Sequence, residues 1–321
     1  RNSEKLISDS GLTTPDTVEL HQIFNKAYET GVRYVVMEVS SHSLDQKRVE
    51  DVDFSVAVFT NLTRDHLDYH SDMEAYFKAK THLFSLVCNS QKSNKAGVVN
   101  IDDPYGLKLY NEFKDRLSIA TIGQDSSCAI RIQNFEPTEE GSTFDLVFKD
   151  MRENVTVPFY GLHNAYNMAS VVGVLLNRDV NFHEILRELP HIPQVPGRLE
   201  QITKDKKRAF IDYAHTPDAL ERALIALKEI PHKQLWVVFG CGGDRDKGKR
   251  KVMGEIAGRL ADKVVVTSDN PRTEKPEAII KDILESGIKY EKALTDRKEA
   301  IIYALSNLKD RDILLIAGKG Q

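Results

Sequence analysis

The chain's 321 residues leave room for about two domains at roughly 150 residues each. Its 41% hydrophobic and 29% charged residues are the balance of an ordinary globular protein. Lys+Arg 44 against Asp+Glu 48 gives a formal charge of −4, which excludes a strongly basic nucleic-acid footprint, and the longest apolar stretches, such as Ile313–Ala317, fall far short of the ~20 residues a membrane helix needs.

From the N-terminal side, Tyr34–Val39 and Phe54–Thr60 read as buried strands. A helical period runs from about Asp72 to Val87, followed by strands near Gly97–Asn100 and at Ile119–Ile122. Between Ala129 and Pro158 the pattern shortens to alternating strands with Gly141 punctuating a hairpin, so an antiparallel patch is expected. Helical periodicity returns at Asn164–Leu176 and Phe182–Leu189. The segment HIPQVPG, 191–197, then holds two prolines and a glycine, which suits a linker and not a helix. After it, strands near Arg208–Asp212, Leu235–Phe239, Lys263–Thr267 and Ile313–Ala317 alternate with helices at Asp218–Lys228, Lys249–Leu260, Pro276–Glu285 and Arg297–Leu308. This alternation predicts the α/β class. A central, mostly parallel sheet with an antiparallel patch is expected over 1–194, and a Rossmann-like α/β domain over 195–321.

No charged-then-apolar leader opens the chain, and Cys88, Cys128 and Cys241 stand singly without metal-type spacing. A reduced, cytoplasmic protein is expected. Arg1, in place of a Met, and Gln321, directly after a Gly-Lys-Gly turn, read as ends cut from a longer protein.

Ligands of doubly wound sheets bind beyond the carboxyl ends of the strands, so residues just after the expected strands matter most. MEVSSH, 37–42, sets Glu38 at the end of an apolar run. A carboxylate there is costly unless it is paired or binds a cation; a salt-bridged glutamate would look the same. Leaving Tyr69 aside, TNLTRDHLDYH, 60–70, packs five ionisable groups into the seven residues from Arg64 to His70, and two such clusters on neighbouring strand ends favour a site over a solvated loop. GCGGDRDKGKR, 240–250, comes within one residue of a phosphate-binding loop, but Arg250 stands where a Ser or Thr hydroxyl should hold Mg²⁺. What remains is a glycine-rich turn offering Arg245 and Lys247 to an anion. SDNPR, 268–272, presents Asp269, Asn270 and Arg272 on a loop stiffened by Pro271. Asp for an ammonium and Arg for a carboxylate suit a zwitterion, although an ordinary polar turn has the same composition.

Taken together, these residues resemble the Mur ligase family, the ATP-dependent amide-forming enzymes of peptidoglycan synthesis. The resemblance covers essentially the whole chain. It is carried by Thr13-Thr14-Pro15, MEVSSH at 37–42, TNLTRDHLDYH at 60–70, Tyr76 to Lys80, GLHNAYN at 161–167, PGRLE at 196–200, DYAHTPD at 212–218, GCGGDRDKGKR at 240–250, DNPR at 269–272 and GKG at 318–320. Within the family the combination looks like the enzymes that add the third stem-peptide residue, DNPR being the form associated with meso-diaminopimelate; lysine-adding relatives usually lack the arginine. The family's phosphate loop, of GTNGKT type, would lie before Arg1, so this stretch alone is expected to be inactive.

The resemblance implies phosphorylation of the D-glutamyl γ-carboxylate of UDP-N-acetylmuramoyl-L-alanyl-D-glutamate by ATP. Attack by the amine of diaminopimelate on that acyl phosphate would follow, with Mg²⁺ neutralising charge. By the match, Glu38, His66 and Lys80 serve catalysis and hold the metal, Lys80 as a carbamate. That change turns a repelling ammonium into an anion and needs a locally lowered pKa. Thr13, Thr14, Ser40, Gln46 and Arg48 would hold the UDP-muramoyl dipeptide. Asn164, Asn167, Arg198, Asp212 and His215 would serve ATP, with domain closure expected to bring Arg198 and Asp212 to it. Plain N-capping accounts for Asn164 equally well. Arg245, Asp269, Asn270, Pro271, Arg272 and Gly318 would form the diaminopimelate pocket. The expected partners are these small molecules, with no nucleic acid, no membrane and a monomeric state. The alternatives left open are a lysine-adding or folylpolyglutamate-type ligase and a non-catalytic binding relative.

Overall fold

The computed structural model describes residues 12–67, 69–205 and 207–318. They pack as two compact units. One comprises the described residues up to Arg131 with Ala169–Asn181; the other comprises Ile132–Met168 with the described residues from Phe182 onward.

In the first unit, α1 (Thr17–Glu29) starts where the Asp16 carboxylate accepts the Glu19 N–H at 3.0 Å, and the short α2 (Ser41–Asp45) is capped by Ser40. The strand β1 (Val56–Phe59), the helix α3 (Met73–Asn89), β2 (Ala96–Asn100), α4 (Pro104–Phe113) and β3 (Ile119–Gly123) follow. Asp103 caps α4 with Pro104 at its first turn, a start that suits proline because its missing N–H has no helical partner there. β1, β2 and β3 pair in parallel, and the first residues of β4 (Ile130–Thr138) continue the ladder beside β3. Phe59, Phe77, Phe84, Val99, Leu109 and Phe113 form the core between the strands and α3 and α4. A second cluster, Leu20, Leu44 and Val49, seats α1 and α2.

Tyr34–Val39 is not a strand. Residues 32–40 are irregular and Val36 is 97% exposed. An apolar run becomes a central strand only if its N–H and C=O groups find a ladder and both faces find cover. Among the described residues no strand pairs with it.

The second unit begins with the rest of β4, then β5 (Gly141–Phe148) and β6 (Met151–Val157), which pair antiparallel as the expected patch, with their turn at residues 149–150 and Gly141 opening β5. α5 (Leu162–Leu176), whose residues from Ala169 on belong to the first unit, and α6 (Phe182–Glu188) come next. A 3-10 turn at Leu189–His191 leads into the proline-rich segment. The remaining elements are β7 (Glu200–Lys204), β8 (Lys207–Asp212), α7 (Pro217–Lys228), β9 (Leu235–Phe239), α8 (Gly248–Leu260), β10 (Lys263–Thr267), α9 (Pro276–Leu284), β11 (Lys292–Leu294), α10 (Arg297–Asn307) and β12 (Ile313–Ala317). They build a sheet of order β11-β10-β9-β12-β8-β7, parallel except for the β7–β8 pair. Leu220, Leu224, Met253, Ile256, Ile279 and Ile283 of α7, α8 and α9 pack on one face. Ala300 and Ala304 of α10 meet Trp236, Val238, Val265 and Leu314 on the other. Strands covered on both faces are continuous apolar runs, which is why β9, β10 and β12 stand out in the sequence.

Candidate active site

In the first unit the Thr14 side chain, 1% exposed, is held between two loops. Its hydroxyl donates to the Glu38 carbonyl at 3.0 Å and accepts the Ser40 N–H at 3.0 Å. Ser40 Oγ in turn accepts the Ser43 N–H at 3.1 Å, opening α2. Arg48 donates to the carbonyls of Thr14 and, at 3.3 Å, Pro15, while its Nε has no partner. Gln46 lies one turn away and donates to the Tyr69 hydroxyl at 3.4 Å. Thr14, Glu38, Ser40 and Arg48 are therefore joined by their own hydrogen bonds; Thr13 is exposed next to them.

His66 belongs to the loop after β1, with its backbone in the left-handed region (φ 56°), a conformation a non-glycine residue adopts only when its surroundings hold it there. Its ring packs edge-on against His42 at 5.0 Å and Tyr76 at 5.7 Å between centroids. Tyr76, one helical turn before Lys80 on α3, lies 5.3 Å under the Lys80 ammonium. Burial pulls the Lys80 pKa below its usual range, opposed by the nearby Glu38 and Asp65 carboxylates. Burial, and then the Asp65 charge, push the Tyr76 phenol up to about 12. Glu38, His66 and Lys80 thus belong to one neighbourhood of histidines, tyrosines and acids. Among the described residues no set of three His, Cys, Asp or Glu side chains could hold a metal ion.

In the second unit the carboxyl ends of four parallel strands come together. Asp212 ends β8 and is buried, with its Oδ2 accepting the Leu199 N–H and its Oδ1 the Ala214 N–H, both at 2.8 Å. Burial raises its pKa against the pull of those two N–H groups and of Arg198. The Gly318 N–H, just beyond β12, donates to the Asp212 carbonyl at 2.9 Å. Arg198 lies over the Tyr213 ring at 5.7 Å, and the Lys249 ammonium donates to the His215 carbonyl at 3.0 Å. Asn164 is not the N-cap of α5. It is the third residue of that helix, and its amide donates to the Tyr160 carbonyl at 2.8 Å while its own oxygen accepts from Asn167 at 3.0 Å.

The glycine turn after β9 and the DNPR loop after β10 lie against each other. The Gly243 N–H donates to the Asn270 carbonyl at 2.8 Å, and Arg272 donates to the Gly243 carbonyl. A Cβ on Gly243 would stand 1.9 Å from the Pro271 carbonyl oxygen, so only glycine allows this approach. Asp269 stands 3.9 Å from the Cβ position of Gly318. Asp269, Asn270, Pro271, Arg272 and Gly318 are thus gathered on one sheet edge with the turn that carries the exposed Arg245. An acid, an amide and guanidinium groups here match the two ends of an amino acid.

Two arginines of this edge have partners to which nothing in the sequence points. Arg250, 1% exposed, makes two bonds to Glu274, at 2.9 and 2.7 Å, and one to Asp282 at 2.7 Å. The residue that spoils the phosphate-loop pattern is therefore a buried brace. Arg297, at the start of α10, donates to the Ala317 carbonyl at 2.7 Å, directly behind Gly318. The carboxylates on Arg250 and the Ala317 carbonyl on Arg297 lie 20 to 32 residues away in sequence, so no local spacing could have flagged these contacts.

The comparisons with known proteins agree with this layout. The Mur ligase middle domain matches residues 2–175 and the Mur ligase glutamate ligase domain matches residues 197–320. A UDP-N-acetylmuramoyl-L-alanyl-D-glutamate--2,6-diaminopimelate ligase from Clostridium acetobutylicum is 42% identical over 97% of this chain, and one from Alkaliphilus metalliredigens is 44% identical over 96%. The chain spans 64% and 62% of those two proteins' lengths. A solved structure of a ligase of the same name is 35% identical with a TM-score of 0.68, covering 96% of this chain and 63% of that one. Mycobacterium tuberculosis folylpolyglutamate synthase shares the fold at 21% identity, with a TM-score of 0.70 over 85% of this chain and 63% of its own. With both domain matches in sequence order over the two α/β sheets, the chain belongs to the Mur ligase family.

Proposed function

We propose that the protein carrying this chain adds meso-diaminopimelate to the D-glutamate of UDP-N-acetylmuramoyl-L-alanyl-D-glutamate at the expense of ATP. The observation that carries this reading is the second unit's sheet edge, where Asp269, Asn270 and Arg272 stand beside Gly318 and the glycine turn. Asp269 suits the ammonium of the incoming amino acid, and Arg272, with Arg245, suits its carboxylates. A lysine side chain has no second carboxylate for Arg272. The names of the similar proteins support the same substrate.

In this reading the D-glutamyl γ-carboxylate takes the terminal phosphoryl group of ATP, and the amine then attacks the acyl carbon and expels phosphate. Thr13, Thr14, Ser40, Gln46 and Arg48 hold the acceptor. Asn164, Asn167, Arg198 and His215 serve the nucleotide, and Asp212, with one lone pair on each oxygen still open beyond its two N–H bonds, takes ribose hydroxyls. Glu38, His66 and a carbamate on Lys80 would hold Mg²⁺, which when bound supplies charge neutralisation for phosphoryl transfer. Burial lowers the Lys80 pKa, which favours the free amine that a reaction with CO₂ requires. The same reading has the protein working as a cytoplasmic monomer, with its domain boundary at 194/195.

The test is phosphate release by the protein carrying this chain, given ATP, Mg²⁺ and UDP-N-acetylmuramoyl-L-alanyl-D-glutamate, with meso-diaminopimelate and L-lysine offered separately. Release with diaminopimelate alone is expected. Release with lysine alone would keep the family and overturn the pocket argument, and no release with either would favour another ligase activity or a binding role.

A further inference from the structure

Arg272 is the residue on which the substrate reading turns, yet it sits on an exposed loop with its backbone in the left-handed region (φ 49°). A bidentate reader of a carboxylate is useful only if its fork is held in place. The glycine turn provides the hold. Asp244, itself left-handed (φ 52°), accepts the Thr273 N–H at 3.0 Å and the Thr273 hydroxyl at 2.8 Å, fixing the residue that follows Arg272. Its own N–H donates to Glu274 Oε1 at 2.7 Å, and Glu274 is gripped by the buried Arg250. On the near side, Gly243 ties to Asn270 through its N–H and to the Arg272 guanidinium through its carbonyl. Arg272 is thus fastened on both flanks, and Asp244 is the side chain that closes the outer one. The Thr273 bonds, backbone first, hold the Asp244 carboxyl below the usual carboxylate range, so it is an acceptor at neutral pH.

We propose that Asp244 is a positioning residue for Arg272, and that it sets the preference for an amino acid carrying a distal carboxylate over one without it. The proposal rests on the reading that Arg272 binds that carboxylate. Asp244 itself touches no substrate; it acts by fixing the backbone on which the Arg272 fork is mounted.

The test is equilibrium binding of meso-diaminopimelate and of L-lysine, measured by titration calorimetry on the protein carrying this chain. Asp244→Gly removes the carboxylate and keeps the left-handed backbone without strain, and Asp244→Asn keeps one acceptor for Thr273. Asp244→Gly is expected to weaken diaminopimelate binding roughly tenfold, the scale of one hydrogen bond to a charged group, and to leave lysine binding unchanged. Asp244→Asn is expected to fall between Asp244→Gly and the unsubstituted protein. Adding Asp244→Gly to Arg272→Ala should cost nothing further, because both act through one guanidinium. Unchanged diaminopimelate binding in Asp244→Gly, equal loss of both ligands, or additive losses in the double variant would each overturn the proposal. If Arg272→Ala alone leaves diaminopimelate binding intact, or if the unsubstituted protein does not bind it, the substrate reading fails and the proposal falls with it.

Discussion

Replacing Arg250 with methionine tests whether one buried cation braces the substrate-facing loops of the second unit. The side chain is 1% exposed; methionine follows its aliphatic stem but lacks the guanidinium, so charge, hydrogen bonds and the volume of that group are lost together. Removing one partner of a buried ion pair costs roughly 3–5 kcal/mol. Asp282, at 36% exposure, regains water when left alone, whereas Glu274, at 17%, does so poorly. The lower end of the range, about 3 kcal/mol, is therefore expected. Urea unfolding at pH 7 would report it as a lower midpoint at unchanged slope. Acid supplies an independent reading. The bonds from Arg250 push the Glu274 pKa from 4.5 down to about 2. A group depressed in the folded state stabilises above its unfolded pKa and loses that contribution as pH falls through its folded one. Stability that Arg250 and Glu274 share is thus lost between about pH 4.5 and 2, and that limb should flatten in Arg250→Met. A loss below about 1 kcal/mol, the value of an exposed pair, with an unchanged acid limb would refute the brace.

Gly243→Ala would drive a Cβ to 1.9 Å from the Pro271 carbonyl, where only backbone can yield, and is expected to cost about 1–3 kcal/mol by urea unfolding. Gly287→Ala, at φ 74° with no atom within 4 Å, should cost about 1 kcal/mol from backbone strain alone; equal losses would contradict the close approach. His163 is held down to about 4 from 6.5, by burial first and then by Arg222 and Arg198. The unfolded chain therefore takes up a proton near 6.5 that the folded chain refuses until about 4. Stability should fall over that window by about 3 kcal/mol on account of this group, and His163→Gln should remove that part of the slope between pH 7.5 and 4.5. An unchanged slope would place His163 in contact with water.

Much of the second unit was legible because central parallel strands need apolar side chains on both faces, so β9, β10 and β12 spell themselves out as Leu235–Phe239, Lys263–Thr267 and Ile313–Ala317. β11, three half-exposed residues at a sheet edge, has no such pattern to find. α1 and α4 carry readable starts, Asp16 and Asp103-Pro104, but no apolar run as strong as those of the strands. Tyr34–Val39 failed for the opposite reason: its composition is that of a strand, but pairing is a property of neighbours and not of the run itself. The candidate site divides in the same way. DNPR and the glycine turn are contiguous and declare their chemistry, whereas Arg250, Arg297 and the tie from Asp244 to Thr273 exist only once distant segments meet.

The place of β12 in its sheet has a consequence for biosynthesis. β12 lies between β8 and β9 and pairs with both in parallel, yet it is made after every other strand of that sheet. While the ribosome works from Phe239 to Ile313, β7 and β8 lie on one side of a gap and β9, β10 and β11 on the other, with the facing N–H and C=O groups of β8 and β9 unpaired. Parallel pairing between such distant segments is slow to form, so this stretch of synthesis is when the nascent chain is most in need of a chaperone's shelter. A stop codon just before Ile313 would remove the keystone of the sheet and leave two half-sheets with nothing to join them.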